Sequence, residues 1–344
     1  MAATRGSFGM VEVFTDEGLT GICPSPANPE YVEHTLKPRM LGENPLDYER
    51  IWHKLQPRFP RGILDTAKID IALWDLIGKI LGQPVWRLLG GAQSEVRVYC
   101  AGGFYAEGKL IQDLQDEMLE YVEMGYRAVK MKIGGAPFDE DVARVRAVRE
   151  AVGPEVDVLI DANHAWTAAE AIRFARVVEE LSPFWFEEPT ESQNPRACAE
   201  VRAVTSIPIA TGENLEGRYA HRALIDGHGA DIIQADAGYC GGITEWRKIA
   251  AYAQAHNLRM APHGSAIVGS HLVAGVTHGL IVESDPHRAP RSGAHWRPSR
   301  RRPAVFQIPP VQDGKLVMTE EPGLGLQIDY DQLQSVREGA HDRA

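Results

Sequence analysis

The 344-residue sequence predicts an α/β fold closed into a barrel of parallel strands. Three observations carry that expectation. After Gly90-Gly91, short β-type runs alternate with amphipathic helical stretches, the pattern of repeated βαβ units. The runs, at 96–101, 128–132, 158–161, 185–187, 207–211, 232–235, 259–262 and 280–282, recur about every 20 to 30 residues. Eight such runs suit a closed barrel better than an open sheet, and the open doubly wound alternative lacks a GxGxxG turn after its first strand.

Composition narrows the class. A hydrophobic fraction of 44% with 24% charged residues is an ordinary globular balance, and the 33 glycines and 22 prolines are spread as turn punctuation with no Gly/Ser linker. Any second domain must therefore dock closely on the first. Lys plus Arg number 36 against 47 Asp plus Glu, a net charge of −11 that argues against a nucleic-acid partner. No apolar run approaches the roughly 20 residues of a membrane span. The start, Met1-Ala-Ala-Thr-Arg-Gly, lacks the apolar core of a signal peptide, so no membrane partner and a cytoplasmic location are expected. Cys23, Cys100, Cys198 and Cys240 are far apart without a CxxC pair and are expected as buried free thiols.

Taken in order, the first stretch reads as a small α+β unit. Residues 11–14 and 19–22 form a hairpin pattern around Asp16-Glu17-Gly18, with glycine where a positive φ is needed. Next, Ile69, Ala72, Leu73, Leu76 and Ile80 fall at helical spacing on one apolar stripe. Asp65 or Thr66 is placed to cap that helix, and Gly82 before Pro84 to end it. In the barrel region, Val142, Val145, Val148 and Val152 line one helix face, while Arg144, Arg146 and Arg149 are placed elsewhere.

Reactive groups of a parallel barrel sit at the C-terminal ends of its strands, so the residues ending each run carry the functional reading. The second run ends in Lys130-Met-Lys132, the third in Asp161-Ala-Asn163, the fourth in Glu187-Glu188-Pro189 and the fifth in Gly212-Glu213-Asn214. Asp236, His263 and Glu283 end the last three. Any one of these acids alone reads as a solvated loop residue. Asp161, Glu187 and Glu213 on three consecutive strands converge, and carboxylates that close repel unless a cation neutralises them. An all-oxygen ligand set favours a hard divalent ion, Mg²⁺ first.

Lys130 and Lys132, two apart on a strand, point to the same side, and a second ammonium beside a dication favours a lysine that can act as base. Asp236 can hold one ring nitrogen of His263 and leave the other for proton transfer. His164, beside Asn163, is placed against the neighbouring loop more readily than against a substrate.

Together these residues are recognisable. The chain resembles the mandelate racemase/muconate lactonizing enzyme family of the enolase superfamily, and most closely its mandelate racemase subgroup, over essentially its whole length. The resemblance rests on Ala67-Lys-Ile-Asp-Ile-Ala-Leu-Trp-Asp-Leu-Ile-Gly-Lys79 with Leu88-Leu-Gly-Gly91, on Val129-Lys-Met-Lys-Ile-Gly134, Asp161-Ala-Asn163 and Glu187-Glu-Pro189, and on Thr211-Gly-Glu-Asn214, Asp236 with Gly241-Gly-Ile243, Pro262-His263 and Glu283. It implies a (β/α)₇β TIM-like barrel at 93–302 under an N-terminal α+β capping domain at 1–92, with 303–344 packing back on the cap. Because Met1 stands only ten residues before Val11, the cap is expected to be shortened at its start, where the family carries a substrate-selecting loop.

The resemblance further implies one Mg²⁺ per subunit on Asp161, Glu187 and Glu213, with Lys132 as one acid/base and His263, paired with Asp236, as the other. Lys130 tunes Lys132 and binds substrate, Asn163 contacts substrate or a water at the metal, and Glu283 protonates or hydrogen-bonds the substrate carboxylate. The implied step is abstraction of the proton α to a carboxylate, through an enediolate; superfamily sites with a Lys or His base and Mg²⁺ are a standard example of such stabilisation. Dehydration of an aldonic or aldaric acid is the first expectation, and a racemase, epimerase or sugar-acid cycloisomerase using the same residues the second. The small and hydroxyl residues of Gly264-Ser-Ala-Ile-Val-Gly-Ser-His271 suit a polar sugar acid. A third reading, from a different class, is a catalytically weak binding protein lacking the selecting loop. The partner expected is a small-molecule carboxylate, and by resemblance the chain forms a homo-oligomer, a dimer or octamer. The arginines at 288, 291, 297 and 300–302 read as a solvated loop.

Overall fold

The computed structural model describes residues 9–57, 62–285, 310–326 and 328. β1 (Val11–Phe14) and β2 (Thr20–Cys23) pair antiparallel, and the turn between them places Gly18 at φ 82°, a conformation open to glycine without a Cβ penalty. Behind the hairpin lies the helix Ile63–Leu81, which ends at Gly82 in the left-handed conformation, its N–H bonded to the Gly78 and Lys79 carbonyls. The expected caps, Asp65 and Thr66, lie three and four residues past the observed one. Gly62 is the N-cap, while the Asp65 carboxylate accepts from the Asn28 N–H at 2.7 Å and the Thr66 hydroxyl donates to Leu55 and Gly62.

This helix also buries more than one stripe. Ile69, Ala72, Leu73 and Leu76 are buried as the spacing predicts, but so are Ile71, Trp74 and Ile77 on the other side, because the helix Ile243–Ala255 packs there. The polar groups of that face are matched: Trp74 Nε1 donates to Thr244 Oγ1 at 2.9 Å, and Asp70 Oδ2 accepts from the Thr244 N–H at 2.9 Å. Burial pushes the Asp70 carboxyl up to about 7. Asp75, fully buried, ties three segments together by accepting from the N–H groups of Ile22 at 2.9 Å and Leu324 at 2.7 Å and from Lys79 Nζ at 2.6 Å.

Eight parallel strands follow: β3 (Glu95–Ala101), β4 (Ala128–Lys132), β5 (Asp157–Asp161), β6 (Trp185–Glu187), β7 (Ile209–Thr211), β8 (Ile232–Ile233), β9 (Arg259–Met260) and β10 (Val282–Ser284). From β3 to β9 each pairs with the next, and β10 pairs with β3. Closure is completed just before β10, where Gly279 bridges Met260 and the Leu280 N–H donates to the Met260 carbonyl at 2.8 Å. This explains why the last strand lies at 282–284 and not at 280–282: residues 279–280 serve β9, and the next residues turn to β3. β11 (Lys315–Val317) adds antiparallel to β3, and beyond it Gly323 exchanges backbone bonds with Gln83 and Val85. The Arg-rich stretch at 288–302 lies outside the described residues.

Alternation along the strands separates two layers. Ala128, Leu159, Trp185, Ala210, Ile232, Ala261 and Ile281 cluster inside the barrel, while Val129, Ile160, Phe186, Ile209 and Ile233 face the surrounding helices. On the helix Phe138–Val152, Val145 and Val148 are buried as expected. Arg144 departs from the reading, for it too is buried. All four cysteines are buried and unpaired.

Candidate active site

The inward alternation that fills the barrel floor continues upward into charged residues. Two residues beyond Ala128 and Leu159 on the same faces stand Lys130 and Asp161, and two beyond Trp185 stands Glu187. Parallel register sets Lys132 beside Asp161, Asp161 beside Glu187, and Tyr99 beside Glu283. In-register partners on adjacent strands are about 4.8 Å apart, so the sheet itself gathers these groups.

Lys130 is the hub. Its Nζ lies 2.6 Å from Glu187 Oε1, 3.3 Å from Asp161 Oδ2 and 3.6 Å from Glu283 Oε2, with 2% of the side chain exposed. Burial favours the neutral amine, but the facing carboxylates, Glu187 and Glu283 foremost, outweigh it and raise the ammonium's pKa. Lys132 Nζ bonds Asp161 Oδ2 and, at 2.7 Å, Asn163 Oδ1. Burial raises the Asp161 carboxyl, yet the two lysines hold it below the usual carboxylate range. Glu187, also burdened by burial and by Asp161, is pushed well up, although Trp185 Nε1 donates to its other oxygen at 3.0 Å.

Across the mouth, His263 Nδ1 lies 2.8 Å from Asp236 Oδ2, as the dyad expectation requires. Asp236 Oδ1 accepts from the Gly238 N–H at 2.5 Å and caps the helix Ala237–Cys240, which fixes the carboxylate plane. His263 Nε2 points to Glu213 Oε2 at 3.7 Å and Glu283 Oε2 at 3.9 Å. Burial alone would lower the imidazole, but Glu283, Glu213 and Asp236 raise it to about 10. Glu283 also accepts from Tyr99 Oη at 3.0 Å, and despite burial is held low by Lys130 and His263.

Asp161 and Glu187 thus meet at Lys130, whereas Glu213 faces His263. Among the described residues no three Asp, Glu, His or Cys side chains stand close enough together to ligate one ion. The carboxylates nonetheless suit a hard cation. Glu213 Oε2 is buried with no hydrogen-bond partner, Glu213 is raised by burial, and Glu187 is raised by both Asp161 and Glu213. Those are the stresses that a divalent ion on three oxygens relieves.

Several residues here were missed in the sequence. Tyr99 and Trp185 sit two residues before inward positions, and the period-two rule applied backwards from Ala101 and Glu187 finds them. Glu188, fully buried at φ 40°, lies 2.9 Å from His164 Nε2 and 3.3 Å from Asn214 Nδ2. The hydrogen bond to Glu188 raises His164 to about 9. His164 therefore packs on the neighbouring loop, as expected. Nothing in local sequence foretells this trio, which joins the ends of β5, β6 and β7. Phe104, after β3, lies with its ring centroid 5.7 Å from Lys132 Nζ. A cavity lined by Tyr48, Trp246, Arg247 and His278 lies on the outer wall and shares none of these groups.

Comparison with known proteins bears on this site. Residues 2–90 match the mandelate racemase/muconate lactonizing enzyme N-terminal domain, and residues 113–332 match the enolase C-terminal domain-like family. An arabinonate dehydratase of Saccharolobus solfataricus is 33% identical over 308 residues, covering 86% of this chain and 80% of the relative. A D-galactarolactone cycloisomerase of Agrobacterium fabrum is 35% identical over 353 residues, covering 98% and 93%. Among solved structures, an L-talarate dehydratase from a Polaromonas species, complexed with Mg and L-glucarate, superposes with TM-score 0.83 at 29% identity, covering 94% of this chain and 90% of that one.

Proposed function

The chain belongs to the mandelate racemase/muconate lactonizing enzyme family of the enolase superfamily, and from that premise we propose that it removes the proton α to the carboxylate of an aldonic or aldaric sugar acid and expels a β-hydroxyl as water. The observation that carries the reading is the pairing of two proton-transfer groups across the mouth: Lys132 at the end of β4, and the His263–Asp236 dyad after β9 and β8, three strands away the short way round. Asp161, Glu187 and Glu213 would hold Mg²⁺, which when bound supplies positive charge opposite the substrate carboxylate as it becomes an enediolate.

Lys132 takes or returns a proton on one face of the α carbon, with Asp161 and Asn163 aiming its ammonium. His263 serves the other face through Nε2, because Asp236 engages Nδ1 and fixes the tautomer. Glu283, held by Tyr99, hydrogen-bonds the substrate carboxylate, and Lys130 neutralises it. Charge stabilised more strongly in the transition state than in the bound acid is what speeds this step. If His263 protonates a leaving β-hydroxyl the outcome is dehydration; if it protonates the opposite face, epimerisation. Likeness to the cycloisomerase over 98% of the chain keeps ring isomerisation of a sugar-acid lactone as the second reading.

The test is incubation of a panel of aldonic and aldaric acids in D₂O with Mg²⁺, following α-deuteration by NMR and loss of water by mass spectrometry. Exchange with a product that has lost the elements of water supports the dehydratase; absence of exchange with every acid refutes it and leaves the binding-protein reading. Two units, 1–92 with the returning C-terminal segment and 93–302, are proposed as the cap and catalytic domains, and a homo-oligomer, dimer or octamer, as the assembly. Among the described residues no helix is long and apolar enough to cross a membrane, and a cytoplasmic location is proposed.

A further inference from the structure

Arg144 lies on the helix Phe138–Val152, where the apolar spacing put it away from the core, yet it is 6% exposed. Its Nη2 donates to two carbonyls, Gly103 at 2.9 Å and Lys132 at 3.2 Å. The guanidinium lies 4.0 Å from the Tyr105 ring centroid and 3.6 Å from Asp141 Oδ1. Asp141, fully buried, accepts from the Gly134 N–H at 2.7 Å and from the Tyr105 hydroxyl, which itself accepts from the Gly135 N–H at 3.1 Å. One buried ion pair thus gathers two stretches of backbone at the barrel mouth: the turn after β3 that carries Phe104, and residues 132–135 leaving β4.

Taking both charges out of water costs several kcal/mol, and well-packed apolar side chains often replace such a pair without loss of stability. A stabilising role alone therefore accounts poorly for it. We propose that Arg144, with Asp141, is a positioning residue for Lys132: it fixes the Lys132 carbonyl and the Phe104 turn, so that the ammonium stands where it meets the α carbon of the substrate. The inference rests on the reading of Lys132 as one of the two acid/base groups. A displacement of about 1 Å at a reacting group costs on the order of 10²-fold in rate. Because Arg144 touches nothing on the His263 side in the described structure, that loss falls on one face of the substrate alone.

The experiment uses two acid sugars epimeric at the α carbon and measures α-proton exchange with solvent D₂O for each. Lys132→Ala first identifies the epimer that Lys132 serves. Arg144→Met should then slow exchange of that epimer by ~10²-fold while the other stays within ~3-fold of wild type, and Arg144→Lys, which keeps the charge, should recover part of the loss. Equal loss for both epimers, or none for either, overturns the inference while the Lys132 reading stands. If Lys132→Ala affects both epimers alike, the reading and the inference fail together. Should Arg144→Met not fold, Tyr105→Phe removes one hydroxyl of the same network and must show the same one-sided loss; if it does not, the inference is likewise overturned.

Discussion

Replacing Asp75 by Ala removes the acceptor for two buried backbone N–H groups, those of Ile22 and Leu324, and for the ammonium of Lys79. Each orphaned buried donor costs about 1–3 kcal/mol. The Lys79 side chain is 26% exposed, so solvent takes over much of its pairing and its share is about 1 kcal/mol or less. The expected loss is therefore about 3–5 kcal/mol. Asp75→Asn keeps one acceptor oxygen but turns an amide donor toward another donor, and should lose about 2–3 kcal/mol. Urea unfolding followed by far-UV circular dichroism gives the total. Amide hydrogen exchange by NMR locates it, because the N–H groups of Ile22 and Leu324 should exchange faster even under conditions where the barrel is intact. A loss under about 1 kcal/mol for Asp75→Ala, with both amides still protected, would show that the cap helix, hairpin and C-terminal segment are not joined through this carboxylate.

The remaining predictions concern protons and metal. His271, buried with Nδ1 accepting from the Trp86 N–H at 3.1 Å, is held down to about 4 by burial. The unfolded chain, whose His titrates near 6.5, binds a proton between those values that the fold does not. Stability is therefore fully present above about 6.5 and is lost as pH falls, by about 2 kcal/mol between pH 7 and pH 5. His271→Asn, which keeps an acceptor but cannot titrate there, should lack that part of the slope in urea titrations at the two pH values; equal slopes would count against a neutral buried imidazole. Lys132→Ala and His263→Asn should each lower turnover ~10²- to 10⁴-fold while Mg²⁺ still binds by calorimetry, and a fully active His263→Asn would exclude the two-base arrangement. Asp161→Asn should instead weaken Mg²⁺ binding, and stripping divalent ions with EDTA should abolish turnover until Mg²⁺ is restored. Activity that survives thorough chelation contradicts the assignment of these carboxylates.

Most of the barrel and the identity of its mouth were legible because both depend on short-range regularities. Period-two alternation places Lys130, Lys132, Asp161 and Glu187 on the inner face before any contact is known, and a strand's C-terminal end is where a barrel exposes such groups. The glycines at 18 and 82 likewise announce positive φ at a turn and a helix end. What local pattern misjudged was always a matter of what packs behind. Ile71, Trp74 and Ile77 look like the outer side of an amphipathic helix until the Ile243–Ala255 helix covers them. Arg144 looks solvated until the turn after β3 and the end of β4 each bring a carbonyl to it. The start of the long helix shifted because Asp65 was needed by Asn28, a partner 37 residues away.

The sequence by itself determined the order of strands and helices, the inward-facing charged row and the family to which the chain belongs, since each is written in residue type and spacing. Only the tertiary structure decided which of those charges touch. Lys130 settles among Glu187, Asp161 and Glu283, Glu213 turns toward His263, and Glu188 is drawn into a bond with His164. Those choices depend on distances between strands far apart in the chain and on the removal of water from between them, and Coulomb energies rise steeply as both shrink. The same desolvation forces each buried charge to find a partner, and only the packed barrel determines which partners are within reach.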